Sequence, residues 1–406
     1  MNVCLSHSTS VIKGDLRITG SKSESNRTLI LQALYPEIKV ENLSNSDDTV
    51  VLTQALLKTA GMIDIHHAGT AMRFLTAYFA SQQGKEVILT GSRRMRERPI
   101  KLLVDALKSM GADIQYENNE GFPPLRIRGK KLETDSVRLK ANISSQYISA
   151  LMLIAPSLPN GLRIFLEGQV TSAPYISMTL EILHFLGLKG SFSNNEIQIS
   201  AASEVPSKTV YIESDWSSAS YFYSMVAISK DSEIKLSNYR KSSLQGDSCI
   251  AEIYRKLGVE TVYQENSIIL KKVAHKKPKC VEEDLQNSPD IAQTLAVTCL
   301  ALGLECKLKG LHTLKIKETD RLVALKTEME KFGAKVEITH NSLHLLSSVK
   351  NLQENVHVAT YNDHRMAMAF APLALKVPLT IEDAEVVSKS YPEYWDHLKN
   401  LNFLVE

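Results

Sequence analysis

Cysteine is scarce. Cys4, Cys249, Cys280, Cys299 and Cys306 are the only five, an odd and scattered set without a C-x-x-C pair. Such a set builds no disulfide framework; it fits small reduced side chains in a cytoplasmic protein. Long apolar runs are also lacking, and no uninterrupted stretch would reach across a bilayer. The first residues lack a basic segment followed by an apolar one, so no signal peptide is expected. Net charge is only +2, which leaves no global field to gather nucleic acid or an anionic membrane. Familiar signatures are missing too: no H-E-x-x-H, no G-x-G-x-x-G and no G-x-S-x-G. Gly20-Ser21-Lys22 fails as a Walker loop because Ser21 separates Gly from Lys. His66-His67 has no carboxylate or Cys at ligand spacing, so neither a metal nor a cofactor is expected.

What is present is a repeat. With 406 residues, 44% of them apolar, the chain has room for two or three domains. Helical patterns end repeatedly on a large apolar residue followed by Gly: Met110-Gly111, Leu186-Gly187, Leu257-Gly258 and Phe332-Gly333, spaced 76, 71 and 75 residues apart. Each Gly suits a left-handed position that closes a helix. Two alternating runs around a polar turn follow, as in Asp113–Tyr116 with Leu125–Arg128 and Val336–Thr339 with Leu343–Leu346, and these read as hairpins. One repeat is then roughly β-α-β-α-β-β. An earlier ending, Ala60-Gly61-Met62, comes too soon for a full repeat, so the first copy is expected to lack its hairpin. Six copies of about 70 residues are too long for common solenoids and imply packing in threes. The expected class is α/β with two similar domains, residues 21–213 and residues 1–20 with 214–406.

The segments that open the helices carry the chemistry. After an expected strand Leu16–Thr19, Ser21 and Glu24 have capping-box spacing, with Leu29, Ile30, Ala33 and Leu34 on the buried side. Later openings are Ala68-Gly69-Thr70-Ala71-Met72-Arg73, Ser144-Ser145-Gln146, Asp215-Trp216-Ser217-Ser218, Ser288-Pro289-Asp290 and Asn362-Asp363-His364-Arg365. Helix N-termini attract anions, yet Lys22, Arg27, Arg73 and Arg365 sit in first turns, where a cation opposes the dipole. Four such placements imply something negative that compensates them. Two further basic segments fit: Arg93-Arg94-Met95-Arg96-Glu97-Arg98 in a loop ended by Pro99, and Lys315-Ile316-Lys317-Glu318-Thr319-Asp320-Arg321, with Thr319 the expected cap. Lys389-Ser390-Tyr391-Pro392 precedes the last helix. If the repeats are related by rotation, these starts point one way and line an anion-binding cleft.

Taken in order, Gly20–Arg27, Ala68–Arg73, Arg94–Pro99, Ser144–Gln146, Lys317–Arg321 and Asn362–Arg365 resemble the 3-phosphoshikimate 1-carboxyvinyltransferase (EPSP synthase) family over nearly the whole chain. The resemblance implies two domains of three repeats with inward-facing helices, an inside-out α/β barrel, that close on substrate. It implies transfer of the enolpyruvyl group of phosphoenolpyruvate to the 5-hydroxyl of shikimate 3-phosphate, with release of phosphate. By motif match, Ser23, Arg27, Ser144, Ser145, Gln146, Ser172, Tyr175 and Lys317 would hold shikimate 3-phosphate. Lys22, Gly69, Arg94, Arg321, Arg365 and Lys389 would hold phosphoenolpyruvate. Asp290 would be the base for the 5-hydroxyl, and Glu318 with Lys22 would handle the methylene proton. The implied protein is a cytoplasmic monomer acting on small molecules, without nucleic acid or membrane.

The chain departs from the family pattern at His67 and Phe74, where Asn and Pro are usual, and at Thr313 and Lys315, where Asn and Arg are usual. The rival UDP-N-acetylglucosamine enolpyruvyl transferases carry a Cys in the loop matching Gly91–Pro99, and this loop has none. A 3′-phosphate cyclase would need a nucleotide site and a catalytic His, and neither can be placed. A non-catalytic anion-binding copy would have no use for both Asp290 and Glu318.

Overall fold

The structure is a computed structural model that describes residues 1–140, 144–168, 170, 173–346 and 351–406. The chain forms two compact halves, Gly20–Ile212 and Met1–Thr19 with Glu213–Glu406. Four of the five four-stranded sheets share one strand order: an opening strand, a parallel neighbour, then the two antiparallel strands of a hairpin with the later one inside; in the fifth, strands from the two ends of the chain take the hairpin's place. Ala60–Asp64, Glu86–Thr90, Leu125–Arg128 and Asp113–Tyr116 make one such sheet in the first half. Cys280–Asp284, Glu305–Lys309, Leu343–Leu345 and Val336–Ile338 make its counterpart in the second. The sixth sheet has only Lys208–Tyr211 parallel to Ile38–Glu41, which is the repeat without a hairpin. All the described sheets are open, so the inside-out arrangement holds without any of them closing into a barrel.

The expected strand Leu16–Thr19 is Val11–Arg17, and it does not join the sheet of the helix that follows it. It pairs in parallel with Asp231–Ser237 in the second half, while Lys208–Tyr211 opens the first repeat instead. Two opening strands are thus exchanged between sequence-distant repeats. Both termini meet in the fifth four-stranded sheet, where Val3–Ser6 lies between Leu379–Ile381 and Leu404–Val405.

Helices form the interior of each half. In the second, Trp216–Ile228 and His364–Phe370 are buried at every residue, and Ala292–Leu302 at all but its last two. A helix apolar all round belongs inside. Small hydroxyls tie these helices together, Ser220 to Thr294 at 2.9 Å and Thr298 to Ser224 at 2.7 Å. The repeat glycines do terminate helices: Gly111, Gly187, Gly258 and Gly333 all have φ between +80° and +99°.

Local differences are instructive. Ser21 is the N-cap residue of Lys22–Leu34 but makes no side-chain cap bond, and the helix buries Glu24 to Leu31 rather than Ala33 and Leu34. The arginine loop contains a short helix, Arg93–Arg96, because Ser92 caps it on Met95 N. The cap before Arg321–Lys331 is Asp320, not Thr319; its carboxylate accepts from Leu322 N and Val323 N at 3.2 Å. Capping by an acidic side chain is worth about 1 kcal/mol. Asp320→Ala should therefore lower stability in urea denaturation by about that amount, with Thr319→Ala costing less than about half of it.

Candidate active site

Four helix starts meet in the second half. Asp363 caps His364–Phe370 by accepting from Arg365 N at 2.9 Å, and it also accepts from Arg321 Nε at 2.6 Å. Arg321 opens its own helix and spreads its remaining nitrogens over Asp290 Oδ1 at 2.9 Å and Glu318 Oε2 at 2.8 Å. Asp290 lies in the turn Pro289–Ile291 that leads into Ala292–Leu302. Its other carboxylate oxygen receives Arg365 Nη2 at 3.1 Å, and Lys317 Nζ stands 3.7 Å from Oδ1. Arg365 also donates to the Asp290 carbonyl at 3.2 Å and to Ser217 Oγ, in the first turn of Trp216–Ile228, at 3.3 Å. Ser217 in turn gives its hydroxyl hydrogen to Asp247 in a short bond. Lys389 Nζ is held by the Asn362 carbonyl at 2.6 Å, just before the Asp363 cap.

The electrostatics follow from burial and charge. Arg321 is 2% exposed. Burial alone would loosen its proton, but Asp363, Glu318 and Asp290 more than reverse that and leave the guanidinium more firmly charged than in water. Arg365 behaves likewise, burial being outweighed first by Asp290. Asp247 is the opposite case: burial, and next the charge of Asp290, push its carboxyl up to about 7 against the pull of Arg365 and Ser217.

The first half builds a different kind of site. Arg27 is buried, and its guanidinium donates to Thr179 Oγ1 at 2.9 Å, Ser149 Oγ at 3.0 Å and the Ser23 carbonyl at 2.9 Å. Phe74 and Tyr175 present their rings to it at 5.5 and 5.6 Å. Among the described residues, three of its five N–H groups are used by neutral oxygens. Arg73, also buried, donates to the carbonyls of Gly69 at 3.2 Å and Pro99 at 3.1 Å. Burial, and then the neighbouring Arg98, lower its proton affinity to about 10; burial does the same to Arg27, to about 10. Gly69 begins its helix against the Arg98 guanidinium, whose Nη1 would lie 2.6 Å from any added Cβ. Lys22 pairs with Asp48 at 3.1 Å. Ser144 caps Ser145–Ile154, and Gln146 donates to Thr70 Oγ1 at 3.1 Å.

Of the expected site residues, Asp290, Glu318, Lys317, Arg321 and Arg365 form one connected cluster, with Lys389 beside its Asp363 cap. Arg27, Ser23 and Tyr175 form a second group; Ser144, Ser145, Gln146 and Gly69 belong to neighbouring helix starts of the same half. Arg94 is half-exposed and meets Glu97 at 3.6 Å; among the described residues it joins none of the hydrogen bonds around Arg73. Ser172 lies outside the described residues. The expectation that cations in first turns need an anion holds for Lys22 and Arg365, which have protein carboxylates, whereas Arg27 and Arg73 rest on neutral oxygens and aromatic faces. Sequence reasoning missed Asp48, Asp247, Ser217 and Asp363 as partners. Asp363 carried a signal, being an acidic N-cap beside Arg365; Asp247 carried none beyond standing in a polar loop.

Comparison with known proteins decides the family. The family model described as EPSP synthase (3-phosphoshikimate 1-carboxyvinyltransferase) matches residues 53–398. A protein of Bacteroides fragilis named 3-phosphoshikimate 1-carboxyvinyltransferase is 47% identical over 401 residues, covering 97% of this chain and 96% of its own. The chain belongs to the EPSP synthase family. A Haemophilus influenzae member of the same name is 35% identical over 424 residues, covering 97% of both chains. The solved EPSP synthase of Acinetobacter baumannii superimposes with a TM-score of 0.82 over the full chain at 20% identity, a likeness of fold.

Within this family setting, the departures noted above have defined surroundings. His67 Nδ1 meets Ser92 Oγ at 2.8 Å, which links the Gly69 helix start to the arginine turn. Phe74 packs its ring on Arg27. In the other half, removing Arg321 would strand the fully buried Asp363 beside Asp290 and Glu318. Breaking a buried pair in this way costs roughly 3–5 kcal/mol. Arg321→Leu should lose about that much in urea denaturation, and Arg321→Lys a smaller part because it cannot span three carboxylates at once.

Proposed function

We propose that the chain transfers the enolpyruvyl group of phosphoenolpyruvate to the 5-hydroxyl of shikimate 3-phosphate, and that the residues matched to the family motifs carry the reaction. The observation that supports this most directly is that Asp290 and Glu318 are held on one guanidinium, at 2.9 and 2.8 Å, among cations suited to polyanions. Arg presents a planar fork for phosphate and carboxylate, and Arg365 and Arg321 are the two of that type in the cluster, with Lys317 and Lys389 as point charges.

The chemistry needs two proton movements. Asp290 takes the proton of the 5-hydroxyl as its oxygen bonds to C2 of phosphoenolpyruvate, and the double-bond electrons take up a proton at C3, delivered by Glu318 with Lys22. C3 then returns a proton, the double bond re-forms, and the C2–O bond to phosphate breaks. Arg321, Arg365, Lys22, Arg94 and Lys389 offset the charge that develops on the carboxylate and the departing phosphate, with Gly69 admitting the ligand close to its helix start. Ser23, Arg27, Ser144, Ser145, Gln146, Ser172, Tyr175 and Lys317 hold shikimate 3-phosphate; among the described residues, Arg27 gives three of its five N–H groups to Thr179, Ser149 and Ser23. Residues 21–213 form the shikimate 3-phosphate side, and residues 1–20 with 214–406 supply Asp290 and Glu318. The protein works as a cytoplasmic monomer without cofactor, nucleic acid or membrane.

A phosphate-release assay with phosphoenolpyruvate and either shikimate 3-phosphate or UDP-N-acetylglucosamine tests the reading: turnover is expected only with the first, and turnover only with the second overturns it. Asp290→Asn should lower kcat by roughly 10²- to 10⁴-fold, the worth of a positioned base, with shikimate 3-phosphate binding nearly intact. Equal activity would remove Asp290 from that role. Lys22→Ala and Arg94→Ala should each raise KM for phosphoenolpyruvate by about an order of magnitude, as expected for a lost charge-assisted contact.

A further inference from the structure

We infer that Ser217 and Asp247 are positioning residues that seat Arg365 for phosphoenolpyruvate, acting through a directed hydrogen-bond bridge; this rests on the reading of Arg365 given above. A hydroxyl has one hydrogen to give. Ser217 gives it to Asp247, so its lone pairs are what Arg365 Nη2 meets at 3.3 Å. The buried Asp247 carboxylate therefore fixes the polarity of Ser217, and Ser217 shares Arg365 Nη2 with Asp290 Oδ2, giving that nitrogen a second acceptor. Without that hold, the hydrogen bonds of Arg365 to side chains and carbonyls among the described residues come down to Asp290, at its carbonyl and at Oδ2, and Asp290 must also act as the base.

The bridge is itself tied in place. Gln245, two residues before Asp247, accepts from Trp216 N at 2.8 Å and donates to the Ser214 carbonyl at 2.9 Å. Glu213 accepts from Trp216 Nε1 at 2.8 Å, from Arg240 N at 2.8 Å and from Ser243 Oγ at 2.6 Å. The segment from Arg240 to Asp247 is thereby strapped to the start of Trp216–Ile228, the helix that carries Ser217. A loop needed only to close the helix would end its work with Gln245 at the backbone; placing a buried carboxylate on a hydroxyl that accepts from Arg365 does more.

The test compares Ser217→Ala, Asp247→Asn and the double variant in steady-state phosphate release. Ser217→Ala removes one hydroxyl from the first turn and leaves in place the Gln245 bond to Trp216 N and the Asp215 cap, whose carboxylate accepts from Ser218 N at 2.7 Å; Asp247→Asn keeps shape but lets its amide donate, turning the Ser217 hydrogen toward Arg365. Each single variant should raise KM for phosphoenolpyruvate about tenfold while KM for shikimate 3-phosphate stays within twofold, and the double variant should be no worse than the more impaired single. A purely structural role would lower the thermal midpoint or kcat without separating the two KM values, and that result overturns the proposal, as does an unchanged KM for phosphoenolpyruvate in an active wild-type background. Absence of turnover in the wild-type protein would instead overturn the reading of the site, and the bridge with it.

Discussion

Arg321 is the interaction on which the second half depends. A buried guanidinium is costly to desolvate, and it is tolerated here because Asp363, Asp290 and Glu318 each take one or more of its N–H groups. Those acids come from three different helix starts, so a single side chain fixes their mutual placement. Lys317 and Arg365 bring the local charges to three positive against three negative around Asp290, Glu318 and Asp363.

The first half solves the same problem with neutral groups. Arg27 and Arg73 are buried on carbonyls, hydroxyls and ring faces, and burial weakens their hold on the proton without removing it. A cation satisfied by neutral oxygens keeps its net charge available to an incoming anion, whereas one paired with a carboxylate does not. The two halves thus differ in how they hold buried arginines: on neutral oxygens and ring faces in one, on carboxylates in the other.

Local features were readable from the chain. The hairpin Asp113–Tyr116 with Leu125–Arg128 appears with the expected bounds, because alternation and turn chemistry act over a few residues. The terminating glycines were equally visible, since only a left-handed position explains a lone Gly after a large apolar residue at each repeat. Capping was less secure: Thr319 and Asp320 are both plausible caps, and the choice went to the carboxylate, which reaches two backbone N–H groups at once. Arg27 and Arg365 looked alike as first-turn cations, yet one found hydroxyls and the other Asp290, a difference set by residues more than 70 positions away.

Composition, period and the order of the motifs were enough to set the repeat and the α/β class. Strand exchange, in which Val11–Arg17 and Lys208–Tyr211 serve sheets distant in sequence, was decided only by folding, since parallel pairing leaves no local mark on either strand. The same is true of the Asp247–Ser217–Arg365 chain and of Arg321's three acids: hydrogen-bond partners far apart along the chain are chosen by burial and geometry, and neither is written in the spacing of the residues that make them.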